Sequence, residues 1–301
     1  MSGQPSSSLI TGVTMTSLFP RSAALAALAM LSLLTGCALL RPPVSVPISA
    51  QTAQKGVSLQ RSLPQVLPDK AVPVPHSQFV LIPSESAAGL LMPIPFVSGA
   101  IGSALDRQNA EAFEKSYGQI SPYNIVLKEM QASPFFRETG GALQLQPFAF
   151  MTECVDDKYR LALVFQLQGA GWTGRYMYHL PTAYDIADFK APSPQVLAAV
   201  RSEMVSGARI LRQLLERAAR GQLESRGVKA ELGSLHLVGG KAAGLVSPTL
   251  LVSRDADVLE ETSDYVVVRM PGDMANAGTA GGLFFGVHYL LKSQLHTYKK
   301  L

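Results

Sequence analysis

The feature that most limits the fold is a change of hydrophobic period in the middle of the chain. Apolar residues occupy every second position from 161 to 167 and, after the glycines at 169 and 171, again from 172 to 180. Side chains that alternate with a period of two point to the two faces of a β-strand. Together with residues 143 to 150, these segments predict a three-stranded antiparallel meander in which each strand has one apolar face. His179 falls on the more polar face, so we expect it on the solvent side.

Two Ser-Pro pairs predict helix starts, because Ser is a favoured N-cap and Pro fits the first helical position. Ser121 and Pro122 precede a short apolar pattern. Ser193 and Pro194 precede apolar residues that recur every three or four positions as far as Gly221. We predict a further helix over residues 106 to 117. The 194–221 helix also carries Arg201, Arg209, Arg212, Arg217 and Arg220. Such arginines can meet phosphate or anionic lipid headgroups, but without interleaved aromatic residues or a nucleic-acid motif they favour a solvated face.

The remaining segments complete the predicted architecture. Further strands are expected at 79–82, 228–238, 249–252 and 265–270. Near the C-terminus, apolar residues at 284, 287, 291, 295 and 298 have helical spacing. They predict an amphipathic basic helix, either packed on the sheet or lying on anionic lipid. The order of these elements predicts the α+β class, with a mostly antiparallel sheet and helices packed on one face.

The N-terminus has the pattern of an export signal. Residues 22 to 34 are thirteen uncharged, mostly apolar residues that follow Arg21. A membrane span needs about 20 apolar residues, so this run instead fits the core of a secretory signal peptide. It ends in Leu34-Thr35-Gly36-Cys37, which resembles the lipobox of bacterial lipoproteins. Met15, close to Arg21, is an alternative start to Met1.

The resemblance implies a lipid anchor. In bacterial lipoproteins the signal is cut before the Cys, whose thiol carries diacylglycerol, and the new N-terminus receives a further acyl chain such as palmitate. Cys37 would then be the first mature residue and the contact with membrane lipid. An Asp after the Cys typically retains such proteins in the inner membrane. This chain has Ala38 there, which implies an outer-membrane lipoprotein with its domain facing the periplasm.

The domain organisation follows from the signal and the prolines. Seven of the forty residues from 37 to 76 are proline, which favours an extended, semi-rigid tether. We therefore predict a signal peptide over 1–36, a Pro-rich tether over 37–77 and a periplasmic α+β domain over 78–301.

Charge is scarce and unevenly distributed. Charged residues make up 16% of the chain, against about 25% in ordinary soluble domains. Residues 86–105 and 274–291 carry no Asp, Glu, Lys or Arg. The first stretch is compatible with a buried helix-turn-helix, a docking surface or a membrane span. The candidate residues for contact with a partner or with lipid are Leu91, Met92, Ile94, Phe96, Phe284, Phe285 and Lys292.

Residue patterns for catalysis or metal binding are weak. The five histidines do not have the spacing of a zinc site, although His288 and His296 would share a face of the predicted C-terminal helix. Cys154 stands beside acids and is expected to be buried or incidental, and with Cys37 lipid-linked no disulfide can form within the chain. Five acids between Asp255 and Asp264 can supply oxygen ligands to Ca²⁺, but their spacing is not that of an EF-hand, so we expect a solvated loop. We predict no cofactor and no nucleic-acid partner.

Three functions remain open from the sequence. The first is a lipid-anchored protein that binds or organises other envelope components, including an envelope protein, without catalysis. The second is a hydrolase of the cell wall or of a glycan, whose two carboxylates need not be neighbours in the chain. The third is a lipoprotein that also inserts residues 86–105 or 274–291 into the membrane.

Overall fold

A computed structural model describes residues 47–65, 67, 71–83, 95–154, 156–169, 171–234, 253–270 and 285–301 of the chain. Of residues 50, 95–105 and 254 it describes the backbone only. The predicted signal peptide, Cys37 and the strand expected at 249–252 lie outside the described residues. All described residues belong to one structural unit that begins at Pro42.

Three of the described α-helices begin after a serine whose side chain caps them. The described helices are α1 (Ala50–Gln54), α2 (Pro95–Tyr117), α3 (Pro122–Met130), α4 (Ile186–Lys190) and α5 (Pro194–Ala219), with a 3₁₀ helix at Lys292–Gln294. The hydroxyl oxygen of Ser121 accepts a hydrogen bond from the amide of Asn124 at 3.2 Å. The hydroxyl oxygen of Ser193 accepts one from the amide of Val196 at 3.3 Å. Both Ser-Pro predictions are therefore confirmed.

The strands form a single mixed sheet. They are β1 (Val57–Leu59), β2 (Val72–Pro73), β3 (Phe79–Ile82), β4 (Leu143–Glu153), β5 (Lys158–Gly169), β6 (Trp172–Asp185), β7 (Lys229–Gly233), β8 (Ser253–Glu261), β9 (Tyr265–Met270), β10 (Gly286–Leu291) and β11 (Thr297–Lys300). Their order in the sheet is β11-β7-β8-β9-β10-β6-β5-β4-β3-β2, and β1 pairs with β4 beside this path. Most neighbours are antiparallel, but β1 with β4, β3 with β4 and β6 with β10 are parallel. The chain therefore has an α+β fold with a mostly antiparallel sheet.

The predicted meander is present as β4, β5 and β6, but both of its faces are buried. Leu163 and Phe165 point into the largest hydrophobic cluster. Val164 and Met177 belong to a second cluster on the opposite side of the strands, against which Leu63 packs. The prediction of a single apolar face is wrong because other parts of the chain cover the second face as well.

Helix α5 packs on the meander through its apolar stripe. Its residues Met204 and Leu211 are buried in the same cluster as Leu163, and the helix contacts β5, β6 and α3. A Cβ atom at Gly207 would overlap the ring of Tyr178. Glycine at this position therefore lets the helix backbone approach β6 closely.

A group of rings joins α2 and α4 to β5, and we call Phe113, Tyr117, Tyr159 and Phe189 the closed aromatic cluster. All four are fully buried. The rings of Tyr159 and Phe189 are stacked, with centroids 4.5 Å apart, and Phe113 meets Tyr159 edge to face. The hydroxyl of Tyr117 donates a hydrogen bond to the carbonyl oxygen of Phe189 at 3.0 Å. The cluster therefore closes this side of the core without an opening to solvent.

The stretch predicted as a Pro-rich tether is folded in its described part. Ile48 and Val57 are buried in the largest cluster, and β1 runs parallel to the first residues of β4. Val74 is also buried. The tether prediction is wrong for these residues because the apolar residues between the prolines pack on the domain. Residues 37–46 lie outside the described residues.

The predicted C-terminal helix is also wrong. Residues 286–291 form β10, which is inserted between β9 and β6, and residues 297–300 form the edge strand β11. The apolar spacing fits a helix locally, but pairing with β9 and with the distant strand β6 overrides that preference. His288 and His296 therefore do not share a helical face.

Residues 95–105, the described part of the uncharged stretch 86–105, are the first half of α2. No helix in the described part of the chain has both the length and the apolarity needed to cross a membrane.

Candidate functional site

An open cleft lies where the C-terminal half of α5 passes over β9 and β10. Its volume is about 430 Å³, which is within the range of small-ligand sites, roughly 300–1,000 Å³. We call it the arginine–tyrosine cleft, and it is lined by Ile210, Gln213, Leu214, Glu216, Arg217, Arg220, Tyr265 and Tyr289.

Helix α5 supplies one wall of the cleft because of its periodicity. Residues three or four apart lie on the same side of a helix, so Ile210, Gln213, Arg217 and Arg220 line up beside one another. Leu211 and Leu215 point into the core instead. The lining residues therefore lie at the border of the helix's buried stripe, where side chains can reach both the sheet and solvent.

Two tyrosines of the sheet form the floor. The rings of Tyr265 and Tyr289 are stacked, with centroids 4.5 Å apart and planes inclined by 25°. Tyr289 also contacts Tyr178, at 5.6 Å between centroids. Burial raises the pKa of Tyr289 to about 12, so its hydroxyl is protonated at neutral pH. Two aromatic rings that face each other therefore form the floor of the cleft.

A carboxylate behind the lining holds one arginine in place. Glu260 Oε2 lies 2.5 Å from Nη2 of Arg217, and Glu260 Oε1 accepts a hydrogen bond of 2.5 Å from the hydroxyl of Tyr265. Burial alone would raise the pKa of Glu260, but these two hydrogen bonds and the arginine charge outweigh it, so the pKa is lowered. Glu260 is therefore ionised at neutral pH and fixes the orientation of Arg217.

The second arginine of the cleft is less constrained. Arg220 is exposed, and its guanidinium carbon lies 5.9 Å from the ring centroid of Phe135. No ion pair within the described residues involves Arg220. Glu216, the acid of the lining, is bound instead to Arg212, 2.7 Å away. The positive charge of Arg220 is therefore available at the mouth of the cleft.

Among the residues predicted to contact a partner or lipid, the structure describes the side chains of Phe285 and Lys292. Leu91, Met92, Ile94 and Phe284 lie outside the described residues, as does the side chain of Phe96. Phe285 is only 3% exposed, and its ring lies 5.7 Å from the guanidinium carbon of Arg175. Burial lowers the pKa of Arg175 to about 10. The prediction of Phe285 as a surface contact is therefore wrong in this conformation. Lys292 is partly exposed and binds Glu261 at 2.9 Å.

Histidine 179 is not on the solvent side, as the alternation predicted. It is 1% exposed, and its Nε2 lies 3.0 Å from Nδ1 of His288. The rings stack because β10 runs parallel to β6. Since one ring nitrogen must donate and the other accept, this contact fixes a tautomer pair. The two residues are 109 positions apart, so the sequence pattern gave no signal of the contact.

Other residues considered for chemistry have structural partners. Burial raises the pKa of the Cys154 thiol to about 11, and such a thiol is a poor nucleophile. The acids from 255 to 261 belong to β8, so the prediction of a loop is wrong there. Asp257 binds Lys229 at 2.7 Å, and Glu260 and Glu261 bind the cations named above. Within the described residues, no three or more His, Cys, Asp or Glu side chains come together in a way that could hold a metal ion.

The sequence indicated only half of the cleft. Arg217 and Arg220 were among the five arginines of the long helix, for which a solvated face was favoured. Tyr265 and Tyr289 were not predicted as site residues, because their stacking depends on the pairing of β9 with β10.

A comparison with protein-family models, with curated proteins and with solved structures finds no match for this chain.

Proposed function

We propose that this protein is an outer-membrane lipoprotein, anchored through acylated Cys37, whose periplasm-facing domain binds another envelope component and is not an enzyme. One observation supports the binding role most directly, namely the open arginine–tyrosine cleft. It combines two aromatic rings with a guanidinium that is not neutralised by a described acid. Tyr and Arg are the residue types most enriched at protein-binding hot spots.

The support for the anchor comes from the sequence. The signal-like run, the box Leu34-Thr35-Gly36-Cys37 and Ala38 occur in the order found in outer-membrane lipoproteins. Two or more acyl chains hold a protein at a membrane firmly, whereas one chain does so only reversibly. In this proposal the anchor confines the domain to the membrane surface and the cleft selects the partner.

The carboxylates near the cleft argue for binding rather than hydrolysis. A glycosidase needs a general acid whose pKa is raised. Glu216 is bound to Arg212, and the pKa of Glu260 is lowered. Residues 286–291 form a strand inside the sheet, between β9 and β6. This arrangement argues against the third alternative, in which residues 274–291 insert into the membrane.

We further propose that the helices cover one face of the sheet. Helices α3 and α5 contact each other, and between them they contact β4, β5 and β6. Their buried residues share a cluster with those of the strands. This arrangement would leave the C-terminal half of α5 at the border of the covered area, where the cleft lies.

The anchor is tested by metabolic labelling with radioactive palmitate followed by membrane fractionation. We expect label in the wild-type chain, which sediments with outer membranes, and none in Cys37→Ser, which should leave that fraction. The Cys154→Ser variant is the matched control and should be labelled like the wild type. Label that survives in Cys37→Ser would overturn the anchor assignment.

The binding role is tested by site-specific photo-cross-linking in intact cells. Benzoylphenylalanine is placed at Gln213, which lines the cleft, and at Ser202, which is exposed on the same helix outside it. The two positions are about 16 Å apart along the helix. We expect one product at Gln213, identified by mass spectrometry as the same envelope component in repeated experiments, and no such product at Ser202. Equal products at both positions, or none at Gln213, would contradict the proposal.

A further inference from the structure

We infer that the arginine–tyrosine cleft recognises a single carboxylate next to a planar apolar group, presented by a protein partner. This inference rests on the proposed binding function and adds the chemistry of the group that enters the cleft. Arg217 and Arg220 would hold the carboxylate, and Tyr265 and Tyr289 would pack against the planar group.

The two arginines are placed to share one anion. Arg217 lies in the last turn of α5 and Arg220 is the C-cap residue that follows it, and both side chains line the same cleft. Glu260 binds Nη2 of Arg217, and within the described residues this is the ion pair that the guanidinium makes, so its other N–H donors can bind a ligand. A guanidinium has five N–H donors in a rigid fork that fits a carboxylate with two parallel hydrogen bonds. Because Glu260 already fixes Arg217, little side-chain freedom is lost when a ligand binds.

The floor of the cleft fits a planar group. The stacked pair of Tyr265 and Tyr289 lines the cleft, and aromatic groups gain free energy from ring contacts beyond the area they bury. Ile210 and Leu214 lie opposite on α5. A ring or another flat group can therefore enter between the helix and the sheet while its charged neighbour stays at the mouth.

The charge of the lining favours a carboxylate over a phosphate. The lining residues include two arginines and one glutamate, so their formal charges leave one net positive charge. A carboxylate carries one negative charge, whereas a phosphate monoester carries about 1.5 to 2 at neutral pH. A phosphate would therefore bring uncompensated negative charge close to Glu216.

The ligand chemistry is tested with small probes on the full chain, purified in non-ionic detergent. The probes are 3-phenylpropionate, phenyl phosphate and the uncharged 3-phenylpropanol. Binding is followed by ¹⁹F NMR of chains labelled with 3-fluorotyrosine, in which the Tyr265→Phe and Tyr289→Phe variants assign the two cleft signals. We expect 3-phenylpropionate to shift both signals with a Kd on the order of 1 mM. Phenyl phosphate and the alcohol should bind at least about fivefold more weakly.

Arginine variants separate recognition from folding. Arg220→Gln removes a charge that is in no described ion pair, so the fold should persist, and we expect 3-phenylpropionate to bind about tenfold more weakly. Arg220→Lys keeps the positive charge but lacks the planar guanidinium fork, so its affinity for 3-phenylpropionate should fall less than that of Arg220→Gln. Arg201→Gln, about 28 Å from Arg220 along the same helix, is the matched control and should stay within about twofold of the wild type. Unchanged binding in Arg220→Gln, or tighter binding of phenyl phosphate or of the alcohol, would overturn the inference.

The failure of this inference can be distinguished from the failure of the proposed function. If the cross-link at Gln213 forms but does not weaken in Arg220→Gln, the cleft binds a partner through other chemistry, and the carboxylate inference is wrong. If 3-phenylpropionate binds in an Arg220-dependent way but Gln213 captures no envelope component, the cleft chemistry holds and the envelope-binding role is wrong.

Discussion

The closed aromatic cluster and the arginine–tyrosine cleft are both built from rings beside a helix, yet they differ in what surrounds the rings. In the closed cluster, Phe113, Tyr117 and Phe189 contact one another and are sealed from solvent. In the cleft, Tyr265 and Tyr289 are only partly buried, and their neighbours on the helix are arginines. The first arrangement stabilises the fold, and the second leaves aromatic surface for a ligand.

The difference shows how the same residue types take on different tasks. Rings that are enclosed on all sides contribute through area removed from water and through close packing. Rings at the border of a covered area contribute less to folding, because part of their surface is still hydrated. Their retained surface, next to a fixed guanidinium, is the reason for proposing the cleft as a site.

The largest expected effect is on stability, and it separates the two regions directly. Phe189→Ala should lower the free energy of unfolding by about 3–5 kcal/mol, since it leaves a cavity among enclosed rings. Tyr265→Ala should cost only about 1 kcal/mol, because that ring is partly exposed. Urea unfolding of the full chain, followed by the fluorescence of Trp172, measures both.

The same two variants should rank in the opposite order for binding. Phe189→Ala should bind 3-phenylpropionate like the wild type wherever it is folded, whereas Tyr265→Ala should lose most of the affinity. If Phe189→Ala weakened binding as much as Tyr265→Ala, the two regions would not be separate, and the comparison would fail.

The parts of the fold that could be predicted are those with local signals. Ser121 and Ser193 cap helices through their own hydroxyls, and the alternation from 161 to 180 describes two strands that are neighbours in the chain. The prediction of a helix at residues 286–291 failed because these residues pair with two strands at once. They run antiparallel to β9 and parallel to β6, which lies far away in the chain. The local apolar spacing there is compatible with either structure, and long-range pairing decided between them.

The candidate site shows the same limit. Arg217 and Arg220 could be noticed from the sequence, because a run of arginines on one helix is a visible pattern. Their significance could not be predicted, because it depends on where α5 stops covering the sheet and on the stacking of Tyr265 with Tyr289. The pairing of His179 with His288 was hidden for the same reason.

The next effect concerns Gly207, which joins the two regions through Tyr178. Gly207→Ala places a methyl group against the ring of Tyr178, which itself contacts Tyr289 in the cleft. Overpacking costs about 1–3 kcal/mol, and the better helix propensity of Ala returns about 1 kcal/mol. We expect a net loss of about 0–2 kcal/mol in urea unfolding and a shift of the Tyr289 ¹⁹F signal. The exposed neighbour variant Ser206→Ala should change neither.

Removal of single hydroxyl groups sharpens the comparison further. Tyr117→Phe leaves the buried carbonyl of Phe189 without this donor, which costs about 1–3 kcal/mol. Tyr265→Phe removes one hydrogen-bond donor to Glu260, but Glu260 retains its ion pair with Arg217. The free energy of unfolding should therefore fall by only about 0.5 kcal/mol. Urea unfolding compares the two, and an equal loss would show that the cleft hydroxyl is as structurally important as the enclosed one.

The smallest effect is the acid sensitivity of the strands beside the cleft. Hydrogen bonds from Lys300, then from Lys292 and Tyr298, lower the pKa of Glu261 to about 2 despite an opposing contribution from burial. These contacts tie β8 to the 3₁₀ helix and to β11, whereas rings hold the closed cluster together. The folded pKa lies below the ordinary value of 4.5, so the ionised carboxylate stabilises the fold above pH 4.5. That contribution is lost as the pH falls from 4.5 towards 2.

Because these ion pairs are partly exposed, the loss should be about 1 kcal/mol or less. Urea unfolding of wild type and Glu261→Gln between pH 6 and pH 2.5 measures it. The variant should be less stable at pH 6, and the difference should shrink as the pH falls, because protonation removes the same charge from the wild type. Asp264→Asn, an exposed acid in the adjoining turn, is the matched control and should follow the wild-type pH dependence. A constant difference between wild type and Glu261→Gln over this range would show that the carboxylate charge does not hold these strands together.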